Sequence, residues 1–283
     1  MAYKDLLVVL DEDPRSRERI VVAAALAERF GAHLVGLYVT VGREPPGRFD
    51  QFNGYIPLFR SAYRDIEENI RVQSEAMRVL FEDLIGRQSL SAEWRLASGY
   101  PAQEVAVHGR YADLIILGQL DPDDPWSPLL HPRPEEVALL AGRPILVIPY
   151  AGTFERVGQR VLVGWDASRE ATRADSDAMP LLTTAASVTV ITVDAEQSGA
   201  GHGEVPGADI ALHLARHGVT AQVERNVSAD IGIGNALLSR ASDLEADLLV
   251  MGAYGHSRVR ELLLGGATRT VLASTTLPVL MSH

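Results

Sequence analysis

The sequence predicts an α/β protein of two tandem doubly wound domains, each a mainly parallel sheet flanked by helices. Three observations carry this. Short apolar runs alternate with segments of helical periodicity. The order of these runs in the first half is repeated in the second. The length of 283 residues suits about two domains of roughly 150 residues each.

The repeat begins with Leu6-Leu-Val-Val-Leu-Asp11 and Val161-Leu-Val-Gly-Trp-Asp166, each a buried-strand run ending in aspartate. Ser16-Arg-Glu and Ser168-Arg-Glu170 then open an amphipathic helix in each half, where serine can cap the first turn. A second strand follows at Ala32–Val39 and Ser187–Val193. A late strand follows at Ala112–Gly118 and Ala246–Gly252, and a last one at Arg143–Ile148 and Leu277–Met281. The first half has 21 more residues between its second and late strands (155 − 134, from the offsets 166 − 11 and 246 − 112). They fall in Gly42–Tyr63, which is rich in Pro, Gly and aromatics and predicts a long loop. After it Ile66, Ile70, Met77, Leu80, Phe81 and Leu84 recur at helical spacing. The last strand of the chain is expected to pair with its equivalent at Pro144–Ile148. The boundary falls near 151–158, giving domains of 1–152 and 153–283.

Composition narrows the function. The formal net charge is −11, which disfavours nucleic acid and anionic membranes as partners. With no cysteine there is no thiol nucleophile, thiolate zinc site or disulfide. No apolar run reaches the ~18 residues of a membrane span, and the N-terminus does not resemble a signal peptide. A cytoplasmic protein is expected.

The strongest functional pattern is Asp247-Leu-Leu-Val-Met-Gly252-Ala-Tyr-Gly255, then nine residues, then Gly265-Gly266-Ala267-Thr268. Glycines after a strand let a ligand approach the main-chain N–H groups. A helix N-terminus next to them offers free donors and a positive dipole end, which suits phosphate. After Gly118 the counterpart has no second glycine. It carries Asp121, Asp123 and Asp124, which repel phosphate, and Pro122, Pro125, Pro128, Pro132 and Pro134, which lack N–H donors. The first half is therefore expected not to bind in this manner.

The second half resembles the universal stress protein family. The residues that carry the likeness are Val161–Asp166, Ser168-Arg-Glu170, Ala246–His256, Leu262-Leu-Leu-Gly265 and Pro278-Val-Leu280. The whole chain resembles the tandem, two-domain members, whose domains are Rossmann-like. Gly252, Gly255 and Gly265 match the family's G-x2-G-x9-G spacing, while Gly266 stands where the family has Ser or Thr. The resemblance implies ATP, with or without Mg2+, as ligand. It implies that Asp166 and Val193 face the adenosine, that Gly252 and Gly255 border ribose and phosphates, and that Gly265, Gly266, Ala267 and Thr268 hold phosphate. The missing hydroxyl at 266 removes about 0.5–1.5 kcal/mol, which Thr268 could partly restore.

The expected function is that of a stress-response nucleotide-binding regulator. The alternative is a nucleotide-independent interaction or dimerisation protein with a vestigial site. The halves are expected to pair within the chain, and a homodimer is open. No catalytic constellation is present, neither a Walker loop nor a G-x-S-x-G elbow, so at most slow ATP hydrolysis is expected. Asp11, Glu12 and Asp13 read as a solvated acidic turn rather than a metal site. His213 and His217, four apart, read as surface histidines. Arg258, Arg260 and Arg269 are phosphate-contact candidates or solvated helix charges. His256 has no orienting partner nearby in sequence. Trp126 and Trp165 read as packing residues.

Overall fold

The computed structural model describes residues 2–41, 56–86, 88–123, 127, 131–194, 207–228, 230–254 and 266–283; of residues 41 and 56–67 it describes the backbone alone. The strands are β1 Asp5–Leu10, β2 His33–Val41, β3 Ala92–Gly99, β4 Leu114–Gly118, β5 Ile145–Ile148, β6 Arg160–Gly164, β7 Ser187–Val193, β8 Ala221–Asn226, β9 Leu248–Gly252 and β10 Val279–Ser282. The helices are α1 Ser16–Phe30, α2 Ile56–Gly86, α3 Pro101–Gly109, α4 Pro134–Ala141, α5 Arg169–Leu182, α6 Ala208–Arg216, α7 Ile233–Asp243 and α8 Ala267–Ser274.

All ten strands form one sheet, ordered β3-β2-β1-β4-β5-β10-β9-β6-β7-β8. Within each half every pairing is parallel. The halves meet at one antiparallel seam, with Val279 opposite Val147, Leu280 opposite Leu146 and Met281 opposite Ile145. This is the pairing that the repeat predicts. It places the two halves about a pseudo-twofold axis, as a dimer of single domains would be. In each half the strand order reverses beside the first strand, between β1 and β4 and between β6 and β9. Ligands of such sheets bind beyond the strand carboxyl ends at that reversal.

The inner strands are near-continuous Val, Ile and Leu because helices cover both faces. Leu6, Leu114, Ile116, Leu146, Val250 and Leu280 are buried on one face, under α1 and α5. Leu7, Ile115, Val147, Leu249, Val279 and Met281 are buried on the other, with residues of α3, α4, α7 and α8. Burying each such side chain contributes about 1.5–3 kcal/mol before entropy.

Punctuation follows local chemistry. α1 ends at Gly31, whose φ of 60° is the left-handed conformation that favours glycine. α3 and α4 open on Pro101 and Pro134, where the missing N–H costs nothing. The aspartates of the repeated Ala-Asp pairs have a structural use. Asp113 accepts from the Lys4 and Asp5 amides, and Asp247 from those of Gly158, Gln159 and Arg160. Each carboxylate pins the start of the first strand of its own half.

Two expectations change. The segment expected to be a loop to Tyr63 is helical from Ile56, because Pro57 in the first turn is compatible with a helix start. Its buried anchor is Phe81, which lies over Gly36 so closely that a Cβ there would meet the ring at 2.9 Å. Ser16 does not cap α1. Its hydroxyl turns back to Asp11, donating to the carbonyl at 2.7 Å and to Oδ1 at 2.9 Å. Ser168 does cap α5, accepting from the Ala171 amide at 3.1 Å. Among the described residues, no helix is long and apolar enough to cross a membrane.

Candidate functional site

The carboxyl ends of β6, β7 and β9 converge in the second half. Asp166 follows β6, Val193 ends β7 and Gly252 ends β9. All three are half-buried. The Asp166 carboxylate accepts from the Ser168 amide at 3.0 Å, turning the chain into α5. Val193 packs on the core of the face that holds α7 and α8. At each strand end the chain passes through a left-handed residue that is not glycine: Ala167 (φ 58°), Asp194 (φ 51°) and Tyr254 (φ 59°). Such conformations cost roughly 1–3 kcal/mol each and cluster where a ligand loop must hold a set shape. Among the described residues, the strand ends of the first half carry none.

The surroundings hold that shape. Asp194 accepts from the Ser228 amide at 3.0 Å and from its hydroxyl, tying the end of β7 to the segment after β8. Thr268 is buried, and its hydroxyl accepts from the Tyr254 amide at 3.2 Å. That bond fastens the turn after β9 to the first turn of α8. The Thr268 hydroxyl accepts in this bond, which does not use its own proton. Gly266 is the N-cap of α8 and makes no side-chain cap bond. Gly266 and Ala267 are half-buried at the start of that helix. Gly255, Gly265, His256, Arg258 and Arg260 lie outside the described residues, as does Trp126. Arg269 is exposed.

Gly252 answers first to packing. A Cβ there would stand 2.6 Å from the Ala171 amide nitrogen and 2.7 Å from the Glu170 carbonyl carbon. Both are main-chain atoms that cannot swing aside. Gly252→Ala is expected to destabilise the chain by about 1–3 kcal/mol through overpacking, checked by urea unfolding. A change under about 0.5 kcal/mol would show that β9 and α5 do not approach this closely.

The first half has the same crevice filled. Arg19 is 5% exposed, and its guanidinium donates to the Asp11 carboxylate and to Ser16 Oγ. It lies against Gly118, the counterpart of Gly252. The helix registers of Ser16-Arg-Glu and Ser168-Arg-Glu170 put Arg19 where the second half has Ala171. His131 Nδ1 is 3.5 Å from Asp11 Oδ2. What remains beside Val9, Gln119, Ser127 and His131 is about 10 Å³, no more than one water. Burial raises the Asp11 pKa most strongly of any single influence. The charges of Arg19 and His131 and the bonds from Arg19 and Ser16 together outweigh it and hold the carboxyl below the usual range. Asp11 is therefore no solvated acidic turn; the acids beside it concealed a buried ion pair. The sequence pointed to acids and prolines after Gly118 as the obstacle, whereas the structure adds an arginine from α1. The signal was legible as a large residue, Arg19, at an alanine position of the repeat.

His213 and His217 are exposed with ring centroids 4.7 Å apart, in keeping with surface histidines. Trp165 is half-buried and packs on the core.

Residues 158–283 match the model of the universal stress protein family. A universal stress protein of Synechocystis sp., Slr1230, is 34% identical over 94 residues, covering 26% of this chain. The chain spans about a third (32%) of that relative's length. Among solved structures, a universal stress protein from Archaeoglobus fulgidus superposes with a TM-score of 0.66 at 17% identity, covering 98% of this chain and 95% of that one. A functionally unknown protein from Pseudomonas aeruginosa PAO1 gives 0.60 at 18% identity, covering 99% and 92%. The likeness in fold runs over the whole chain, and the family match lies in residues 158–283, the half that has Ala171 where the first half has Arg19.

Proposed function

We propose that the second half, residues 153–283, holds an adenine nucleotide, ATP with or without Mg2+, and that the chain is a cytoplasmic nucleotide-responsive regulator of the stress response. Residues 1–152 form the companion domain, which binds no nucleotide. The observation that carries this is the asymmetry between the halves. Strained turns surround the strand ends of the second half, while Arg19 fills the equivalent space in the first. In this reading Asp166 and Val193 face the adenosine, and Gly252 and Gly255 border the ribose and phosphates. Gly265, Gly266, Ala267 and Thr268 offer main-chain N–H groups to phosphate at the start of α8, where the helix dipole favours an anion. In this reading the Asp166 and Asp194 carboxylates are used in holding their turns, accepting from the Ser168 and Ser228 amides, so the site holds the nucleotide and turns it over slowly at most.

A second reading, a nucleotide-independent interaction protein, is favoured by one observation. Val107 and Tyr111 at α3 and Leu139 and Leu140 on α4 are exposed apolar residues on packed neighbouring helices.

Thermal unfolding with Mg-ATP separates the two. At ten times Kd the nucleotide is expected to add about 1.4 kcal/mol of stability. Ala267→Glu is expected to keep the fold, because an acid in the first turn suits the helix dipole, and to lose the ATP effect by repelling phosphate. No stabilisation of the unaltered chain at millimolar ATP would sink the nucleotide reading.

A further inference from the structure

Gln119 follows Gly118 at the end of β4 and is 6% exposed. Both ends of its amide are used. Nε2 donates to the Leu272 carbonyl at 2.8 Å, and Oε1 accepts from the Tyr150 amide at 3.2 Å. Only one orientation of the amide satisfies both partners, so its flip is fixed. Its own amide donates to the Ile148 carbonyl at 2.8 Å. One side chain thus joins β4, the end of β5 and α8 of the other half.

Leu272 lies in the last turn of α8, where carbonyls have no intrahelical partner. The second half has Ala253 at the position of Gln119, and an alanine side chain reaches nothing across the seam. Arg19 and Gln119 are therefore two large polar residues of the first half at alanine positions of the repeat, Ala171 and Ala253. The first fills the crevice. The second reaches over the pseudo-twofold axis to the helix that opens the other crevice.

We infer that Gln119 is a positioning residue for the second half's site: the first half braces α8 from its C-terminal end and so sets where its N-terminal amides stand. This rests on the nucleotide reading above for its functional consequence, but not for the brace itself. α8 has only eight residues; besides the Gln119 bond, the Tyr254–Thr268 bond fastens its first turn, and Val271, Ala267 and Leu272 pack it on the core beside α7. A short helix held at both ends has little freedom to tilt.

The test is Gln119→Met in the full chain, which keeps the length and removes the amide. Amide hydrogen exchange at Arg269, Thr270, Val271 and Thr275 is expected to accelerate about two- to tenfold, while Leu114–Leu117 in β4 stay unchanged. Mg-ATP, titrated by calorimetry, is expected to bind about two- to tenfold more weakly. Unchanged exchange in α8 would overturn the brace. Accelerated exchange with unchanged ATP affinity would overturn its role in the site. If the unaltered chain binds no ATP while exchange in α8 accelerates, the nucleotide reading falls and the brace stands. Should Gln119→Met fail to fold, the unaltered chain still decides the matter. Its α8 amides are expected to open together with the amides of Gln119 and Tyr150, and independent opening would overturn the inference.

Discussion

Arg19→Ala is expected to destabilise the chain by about 3–5 kcal/mol, the usual cost of leaving one member of a buried ion pair without its partner. Both partners are enclosed: Arg19 is 5% exposed and Asp11 is 8% exposed. Removing the guanidinium strips the Asp11 carboxylate of its strongest compensating charge, while its desolvation remains. Asp11→Ala alone strands Arg19 and is expected to cost a similar amount. The double variant should lose less than the sum of the two, because neither charge is then left unpaired. The pH dependence has a definite sign. In the unaltered chain the folded pKa of Asp11 lies below its unfolded value. Its contribution is therefore present above the unfolded pKa and lost as the pH falls through the folded one. The deficit of Arg19→Ala should accordingly be full at neutral pH and shrink in acid. Urea unfolding between pH 3 and 7 measures this. A loss below about 1 kcal/mol at pH 7, or additive single variants, would show that the pair is solvated.

Most of the architecture was legible because its signals are local and repeated. Apolar runs such as Leu6–Leu10 and Leu248–Met251 are strands buried on both faces, and their order appears twice. The seam between β5 and β10 followed from the same repeat, since equivalent strands at the ends of two equivalent sheets present matching edges. The start of α2 was not legible, because proline and aromatics suit a loop as well as a first helical turn. Nor was the state of the first crevice. The inventory Asp11, Glu12, Asp13 looks like a wet acidic turn until Arg19, a turn into the following helix, is folded back onto it. That is a tertiary contact with no periodicity of its own. Gly252 illustrates a different limit. Its place in the glycine pattern suggests a ligand, yet its nearest neighbours are the main chain of Glu170 and Ala171. Gly252 is required for packing whether or not a nucleotide is bound, so a glycine at that position does not by itself separate a working site from a vestige.

The second half contains a buried aspartate of the opposite kind, and Asp175→Asn is expected to stabilise the chain at alkaline pH. Asp175 lies on α5 and is 2% exposed. Its Oδ1 is buried and has no hydrogen-bond partner. In the register that aligns Ser168 with Ser16, its counterpart is Ala23, which is fully enclosed in the core. Burial pushes the Asp175 pKa up to about 6, against the opposing charge of His217 at the end of α6. The folded pKa therefore lies above the unfolded value of about 3.9. Folding is unopposed by this group below pH 4, is opposed progressively between pH 4 and 6, and carries the full penalty above 6. A rise of about two units corresponds to roughly 2–3 kcal/mol. Asparagine has nearly the same volume and no charge to desolvate. Asp175→Asn should thus exceed the unaltered chain by up to about 2–3 kcal/mol at pH 8, with the gap closing by pH 4, as urea unfolding at the two pH values would show. A gap that does not change with pH would mean that Asp175 is hydrated or paired when ionised. The windows of the two aspartates do not coincide: Asp175 opposes folding above pH 4 to 6, whereas Asp11 ceases to support it only below the ordinary aspartate range. Acidification from neutrality should first strengthen the second half and only later weaken the first. Amide exchange followed separately in β1 and β6 would report that order directly, and protection lost first in the second half would contradict it.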